Sequence, residues 1–154
     1  MLVIRTSDPD GSSYGGFQWP TEGHVETPDW NPAPVCGQGL HGCRTQDDPE
    51  YLNWTNPTAR WQLVKVNPSE VVDLDGKIKF PRGEVVYSGG RDEALKVFFG
   101  TDDTREASLK NPYWAYMYAQ YVDKVPRDET RQGASKDPEW AYYYACWVEP
   151  MANK

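Results

Sequence analysis

The side chains best equipped for chemistry gather in one stretch, Val35-Cys36-Gly37-Gln38-Gly39-Leu40-His41-Gly42-Cys43-Arg44. Cys36, His41 and Cys43, with His24 as a fourth, are ligand types that suit a tetrahedral zinc ion. Their Cys-x4-His-x-Cys spacing matches no established ligand template. The preferred expectation is therefore no metal, with a buried imidazole and two buried thiols, and Cys36, His41 and Cys43 stand as the metal alternative. The glycines permit tight turns and close backbone approach, so Gly39 and His41 are read as binding positions. No phosphate loop, nucleophile elbow, His-Glu-x-x-His or calcium loop occurs in the chain. The remaining cysteine, Cys146, lies in an aromatic helix and reads as packed.

A second concentration of unusual residues lies in the last third. Lys110-Asn-Pro-Tyr-Trp-Ala-Tyr-Met-Tyr-Ala-Gln-Tyr-Val-Asp123 aligns without a gap on Lys136-Asp-Pro-Glu-Trp-Ala-Tyr-Tyr-Tyr-Ala-Cys-Trp-Val-Glu149, with eight of fourteen positions identical. A repeat at this period signals a duplicated supersecondary unit. Each copy opens with a capping Asn111 or Asp137, then Pro112 or Pro138 at the first helical position. Trp114, Tyr118, Trp140 and Tyr144 then fall on one face at helical spacing. Such a stripe is most simply core, and the alternative is a stacking platform that binds a base or another flat ligand. The intervening Lys124 to Ser135, with Pro126 and Gly133 among charges, reads as a loop.

These residues need elements to position them. Leu2 to Thr6 is a strand, and Tyr14 to Trp19, bulged at Gly15-Gly16, is its expected partner. His24 to Thr27, Leu40 to Arg44, Arg60 to Asn67, Glu70 to Leu74, Lys77 to Phe80 and Glu84 to Ser88 are further short strands, with a hairpin turn at Asp75-Gly76. Asp47 to Trp54 should open a short helix ending near Asn56-Pro57, and Asp92 to Phe99 another. Strands first and helices last give an α+β protein: a small twisted, mostly antiparallel sheet over residues 1–90, with the helical repeat pair of residues 91–154 packed on it. A formal charge of −7 over 154 residues argues against direct duplex binding. No apolar run is long enough for a membrane span, and Met1-Leu2-Val3-Ile4-Arg5 makes no secretory signal. An odd cysteine count fits a reducing compartment, so the expected location is the cytoplasm of a host cell.

The order Gly16-Phe17-Gln18-Trp19, then Cys36-x-x-Gly39-Leu40-His41-Gly42-Cys43, then Trp61-Gln62-Leu63-Val64-Lys65-Val66 and Asp75-Gly76-Lys77-Ile78, resembles a domain of unknown function carried by phage and prophage proteins. The resemblance covers about residues 1–88. The Asn/Asp-Pro-x-x-Ala-Tyr-x-Tyr-Ala helices likewise resemble repeats of phage-encoded proteins. What this implies is a bacteriophage origin and no particular chemistry. The Gly39-Leu40-His41 segment also looks like the nicotinamide pocket of ADP-ribosyltransferase folds, with Arg5 on a phosphate and Glu84 as the acid orienting a ribose. The first strand lacks that family's His-Gly or Arg-Gly pair, and no Gln/Glu-x-Glu precedes a strand.

The expectation is accordingly a viral accessory protein that works by binding. It would be a counter-defence or host-machinery inhibitor, with a host or defence-system protein as partner and no cofactor. Two alternatives stand beside it. One is an ADP-ribosyltransferase-like enzyme using NAD through Arg5, His41 and Glu84. The other is a protein that sequesters a small nucleotide over Gly39 and His41.

Overall fold

The computed structural model describes residues 1–13 and 16–153. They form two compact units, one of 1–47 with 51–98, the other of 48–50 with the chain from Phe99 onward. All the strands lie in the first unit, and the repeat helices lie in the second, so the α+β expectation holds.

Among the described residues, the first unit contains seven strands in two antiparallel sheets rather than one. Four of them pair in the order β1 (Leu2–Ser7), β4 (Arg60–Lys65), β7 (Arg82–Gly89) and β2 (Gly23–Glu26). Three pair in the order β3 (Leu40–Gly42), β6 (Ile78–Phe80) and β5 (Val72–Asp73). The sheets are tied where Ile4 and Cys43 exchange two backbone hydrogen bonds of 2.9 Å each. Gly42 allows this meeting, since a Cβ there would stand 2.3 Å from Val3 Cγ1. The shared core holds Val3, Trp19, Val25, Leu40, Val64, Ile78, Phe80 and Val85. Residues 61–64 of β4 are buried on both faces, which is why its alternating pattern does not translate into an inner and an outer side.

Several local expectations change. The partner of β1 is β4, with Arg5 opposite Gln62. Of the expected Tyr14 to Trp19 strand, Tyr14 and Gly15 lie outside the described residues, and a single bridge joins Ser12 to Gln18. The helix expected near Asp47 is one 3-10 turn, Pro49–Tyr51. The Asp75-Gly76 turn forms as expected: both residues have positive φ, 62° and 104°, and Leu74 N–H donates to Lys77 O at 2.8 Å. Helix α1 (Arg91–Phe99) follows β7.

The second unit is a duplicated pair of helices, α2 (Asp102–Ser108) with α3 (Pro112–Tyr118), then α4 (Asp128–Ala134) with α5 (Pro138–Tyr143). The caps are those read from the sequence: Asn111 accepts from Tyr113 N–H and Asp137 from Glu139 N–H, each at 2.9 Å. Helix α4 occupies the segment expected to be a loop. Asp128 and Glu129 give it an acidic first turn. Pro126 precedes it, and Gly133 is there for packing rather than for breaking the helix. The duplication therefore begins earlier than the aromatic motif, with Asp102, Thr104 and Arg105 matching Asp128, Thr130 and Arg131 at the same spacing. Even the irregular ends repeat, as π-helical turns Ala119–Asp123 and Tyr144–Val148.

Candidate functional site

A cleft of about 890 Å³ opens in the first unit, and the Cys36 to Cys43 stretch forms one of its walls. Arg5 reaches it from β1. The residue is 6% exposed, and its guanidinium lies over the Trp19 ring with Cζ 3.6 Å from the centroid. Nη1 donates to Gln62 Oε1. Gln62, fully buried, is held in turn by donating through Nε2 to Pro20 O at 2.9 Å and to Ser88 Oγ at 2.8 Å. Burial pulls the Arg5 guanidinium down to about 9, still protonated at neutral pH. Phe17 meets Trp19 edge-on at 5.8 Å and extends the aromatic lining.

The opposite wall turns on the loop before β3. Gly37 and Gln38 both have positive φ, 95° and 51°, which folds the loop back so that Gly37 N–H donates to His41 Nε2 at 3.2 Å. That nitrogen is an acceptor, so the imidazole is neutral with its proton on Nδ1. Burial first, then the charges of Lys77, Lys79 and Arg5, push His41 down to about 4. Lys79 stands opposite His41 in the ladder and is fully buried. Its Nζ donates to Gly37 O at 3.3 Å and lies 5.6 Å from the Trp30 ring. Lys77 Nζ lies 4.7 Å over Tyr51 and 3.4 Å from Cys36 Sγ. Asp29 is the one carboxylate among the described lining residues, and its Oδ1 accepts from Thr27 Oγ1 at 2.7 Å.

Of the residues singled out from sequence, the structure brings Arg5, Cys36, Gly39, His41 and Cys43 to the lining of one cleft, and places His24 and Glu84 at another hollow and the four repeat aromatics in the second unit. Glu84 is exposed on β7, opposite His24 and Lys65, and borders a different hollow of about 380 Å³. The Arg5, His41 and Glu84 set of an ADP-ribosyltransferase is therefore not assembled. The zinc set is not completed: Cys36 Sγ comes within 4.0 Å of His41 Nε2, but that nitrogen accepts from Gly37 N–H, Cys43 is 1% exposed in its bridge to Ile4, and His24 sits on β2 paired with Glu26 at 3.0 Å. Among the described residues no group of three His, Cys, Asp or Glu could hold a metal ion. Cys36 and Cys146 are exposed rather than packed.

Trp114, Tyr118, Trp140 and Tyr144 are packing residues. Trp114 is fully buried, with Phe99 5.4 Å away, and Phe99 also meets Tyr118 at 5.9 Å. Trp140 lies against Tyr113 and Tyr116 at 4.3 and 5.3 Å. The Tyr144 hydroxyl is buried 2.7 Å from Thr130 Oγ1. The sequence reading missed Trp19, Lys77 and Lys79. Lys77-Ile78-Lys79-Phe80 alternates polar and apolar, so the sequence places Lys79 on an outer face, whereas the structure buries Ile78, Lys79 and Phe80 alike.

The chain is similar to ice nucleation protein InaU of Pantoea ananas, 33% identical over 101 residues, covering 62% of this chain and 10% of that protein. It is 30% identical over 113 residues to an ice nucleation protein of Pseudomonas fluorescens, covering 72% of this chain and 9% of the relative. With one from Xanthomonas campestris pv. translucens it shares 32% over 97 residues, 62% of this chain and 6% of the relative. The chain thus spans about a tenth or less of the relatives it matches. These are bacterial proteins named for ice nucleation, and they overturn the expectation of a bacteriophage counter-defence inhibitor. No solved structure matches the chain. Residues 1–97, the greater part of the chain and all seven strands, match a domain of unknown function, DUF7666, and the chain belongs to that family.

Proposed function

We propose that the first unit is a recognition module that holds a ligand in its cleft without transforming it. The observation that carries this reading is the composition of the lining. Arg5, Trp19, Phe17, Tyr51 and Lys77 supply charge and aromatic surface, His41 is neutral, and Asp29 is already engaged by Thr27. A cleft with aromatic walls and a few placed polar groups is the usual form of a small-molecule site. Chemistry would need a base free to serve a nucleophile, or a second carboxylate; Cys36 Sγ lies 4.0 Å from His41 Nε2, but that nitrogen already accepts from Gly37 N–H. The carboxylate that could have served, Glu84, faces another hollow.

The modular reading draws on the relatives. A segment of about a hundred residues that recurs within proteins some ten times longer is a unit carried between contexts. In this chain it is followed by a pair of helical repeats. We propose that its task in each setting is to hold the rest of the chain to a ligand or a ligand-bearing partner. The test is amide NMR of the full chain titrated with a fragment set of small aromatic acids, amides and alcohols. A subset should shift Arg5, Trp19, Gly37 and His41 resonances saturably and be recovered unaltered. Fragments recovered chemically changed, or a set that leaves those resonances unmoved, would contradict the proposal.

A further inference from the structure

We propose that the cleft is built for an oxyanion, a carboxylate or phosphate carried on a flat apolar body, with Arg5 as its receptor. The inference rests on the recognition-module reading and names what that module takes.

The argument starts from what Arg5 lacks. A guanidinium has five N–H donors in a rigid fork and is always charged. Arg5 is more than nine-tenths buried, yet among the described residues it has no carboxylate partner. Its described interactions are the Gln62 oxygen and the Trp19 face. A buried charge is normally paired, because desolvation is costly and only a counter-ion with good geometry offsets it. Here the position that faces Arg5 in the ladder is a glutamine, which orients the fork and leaves its charge standing. Because Gln62 is itself fixed by Pro20 and Ser88, the fork is held before any ligand arrives. Donors left over on a fixed fork that lines an open cleft are an anion receptor waiting for its counter-ion.

The second observation is the field around it. In a chain whose net charge is −7, the cations Arg5, Lys77 and Lys79 converge on His41, and each is a cause of its lowered pKa. Lys79 also lacks a carboxylate partner among the described residues, though it is fully buried. The other charged group facing the cleft, Asp29, is held by Thr27. Trp19 and Phe17 beside Arg5, and Tyr51 under Lys77, supply flat surface for the body that bears the anion.

The experiment titrates the full chain with benzoate, phenyl phosphate, benzamide and benzyl alcohol, with acetate and inorganic phosphate alone as further arms. It is followed by amide NMR and by the pH titration of the His41 ring. Benzoate or phenyl phosphate should bind at least about ten-fold more tightly than the two neutral compounds, since a hydrogen bond to a charged group is worth that factor. The tighter of the two identifies the carboxylate or the phosphate arm. Binding should move the His41 titration upward, because the anion offsets the three cations. Arg5→Lys keeps a cation over Trp19 but loses the fork, and should weaken the anions about ten-fold and weaken benzamide, a neutral acceptor, by less. Lys77→Gln, at the partly exposed rim, should weaken the anions less. Equal binding of neutral and anionic compounds in the cleft, or an Arg5→Lys protein that binds benzoate undiminished, would overturn the anion proposal and leave the recognition module standing. No probe shifting any cleft resonance would overturn both.

Discussion

His41 shows how a single side chain reports the state of the cleft. Gly37 donates to its ring, and burial together with three cations holds it near 4, well below its usual value. The unfolded chain therefore takes up a proton at His41 below about pH 6.5 while the folded chain does not. The sign follows: this contribution to stability is complete above about pH 6.5 and is lost as pH falls toward 4. After discounting for partial solvent screening it is worth about 1–2 kcal/mol. His41→Gln, which keeps an acceptor for Gly37, should flatten the stability profile between pH 4 and 6.5, measured by urea unfolding at several pH values. An unchanged slope would show that His41 does not carry it. At this scale the sequence disclosed the loop and its histidine, because glycine spacing is a local signal. It did not disclose Trp19, which reaches Arg5 from outside the named strands. Nor could it rule out Glu84, whose position opposite His24 depends on strand pairing across some sixty residues.

The repeat shows what an element-level pattern can and cannot carry. Proline, cap and aromatic spacing revealed α3 and α5, but α4 was hidden because its glycine reads as a breaker. Gly133 is needed where α4 crosses the first repeat: a Cβ there would stand 2.1 Å from Leu109 O and 2.7 Å from Ala115 Cβ. Gly133→Ala should therefore destabilise by about 1–3 kcal/mol despite its better helix propensity. Gly90→Ala, with open space around it, should cost nothing comparable. Equal melting temperatures for the two variants would refute this packing account. The copies also differ in what covers them. Tyr116 is 7% exposed beneath Trp140, whereas its counterpart Tyr142 is 64% exposed, and Trp147 is 58% exposed. Trp114→Ala should then cost about 3–5 kcal/mol, and Trp147→Ala no more than about 0.5 kcal/mol. Chemical denaturation of the two variants checks the contrast, and a large loss for Trp147→Ala would place that side chain in a buried contact.

Across the whole molecule, the order of strands first and helices last announced an α+β protein but not two sheets. Short strands of three or two residues, such as β3 and β5, carry too little periodicity to reveal which partner they choose. What makes the site is that second choice: β3 and β6 join each other, Cys43 bridges to Ile4, and His41 and Arg5 come to share one cleft. The same organisation concentrates positive charge locally in an acidic chain, so the site cannot be inferred from net charge. The most direct test is where an anion goes. Crystals of the full chain soaked with p-bromobenzoate should place the bromine signal in the cleft beside Trp19, with the carboxylate within hydrogen-bond distance of the Arg5 guanidinium. Bromine found instead over Tyr142 and Trp147, with the cleft empty, would contradict the account.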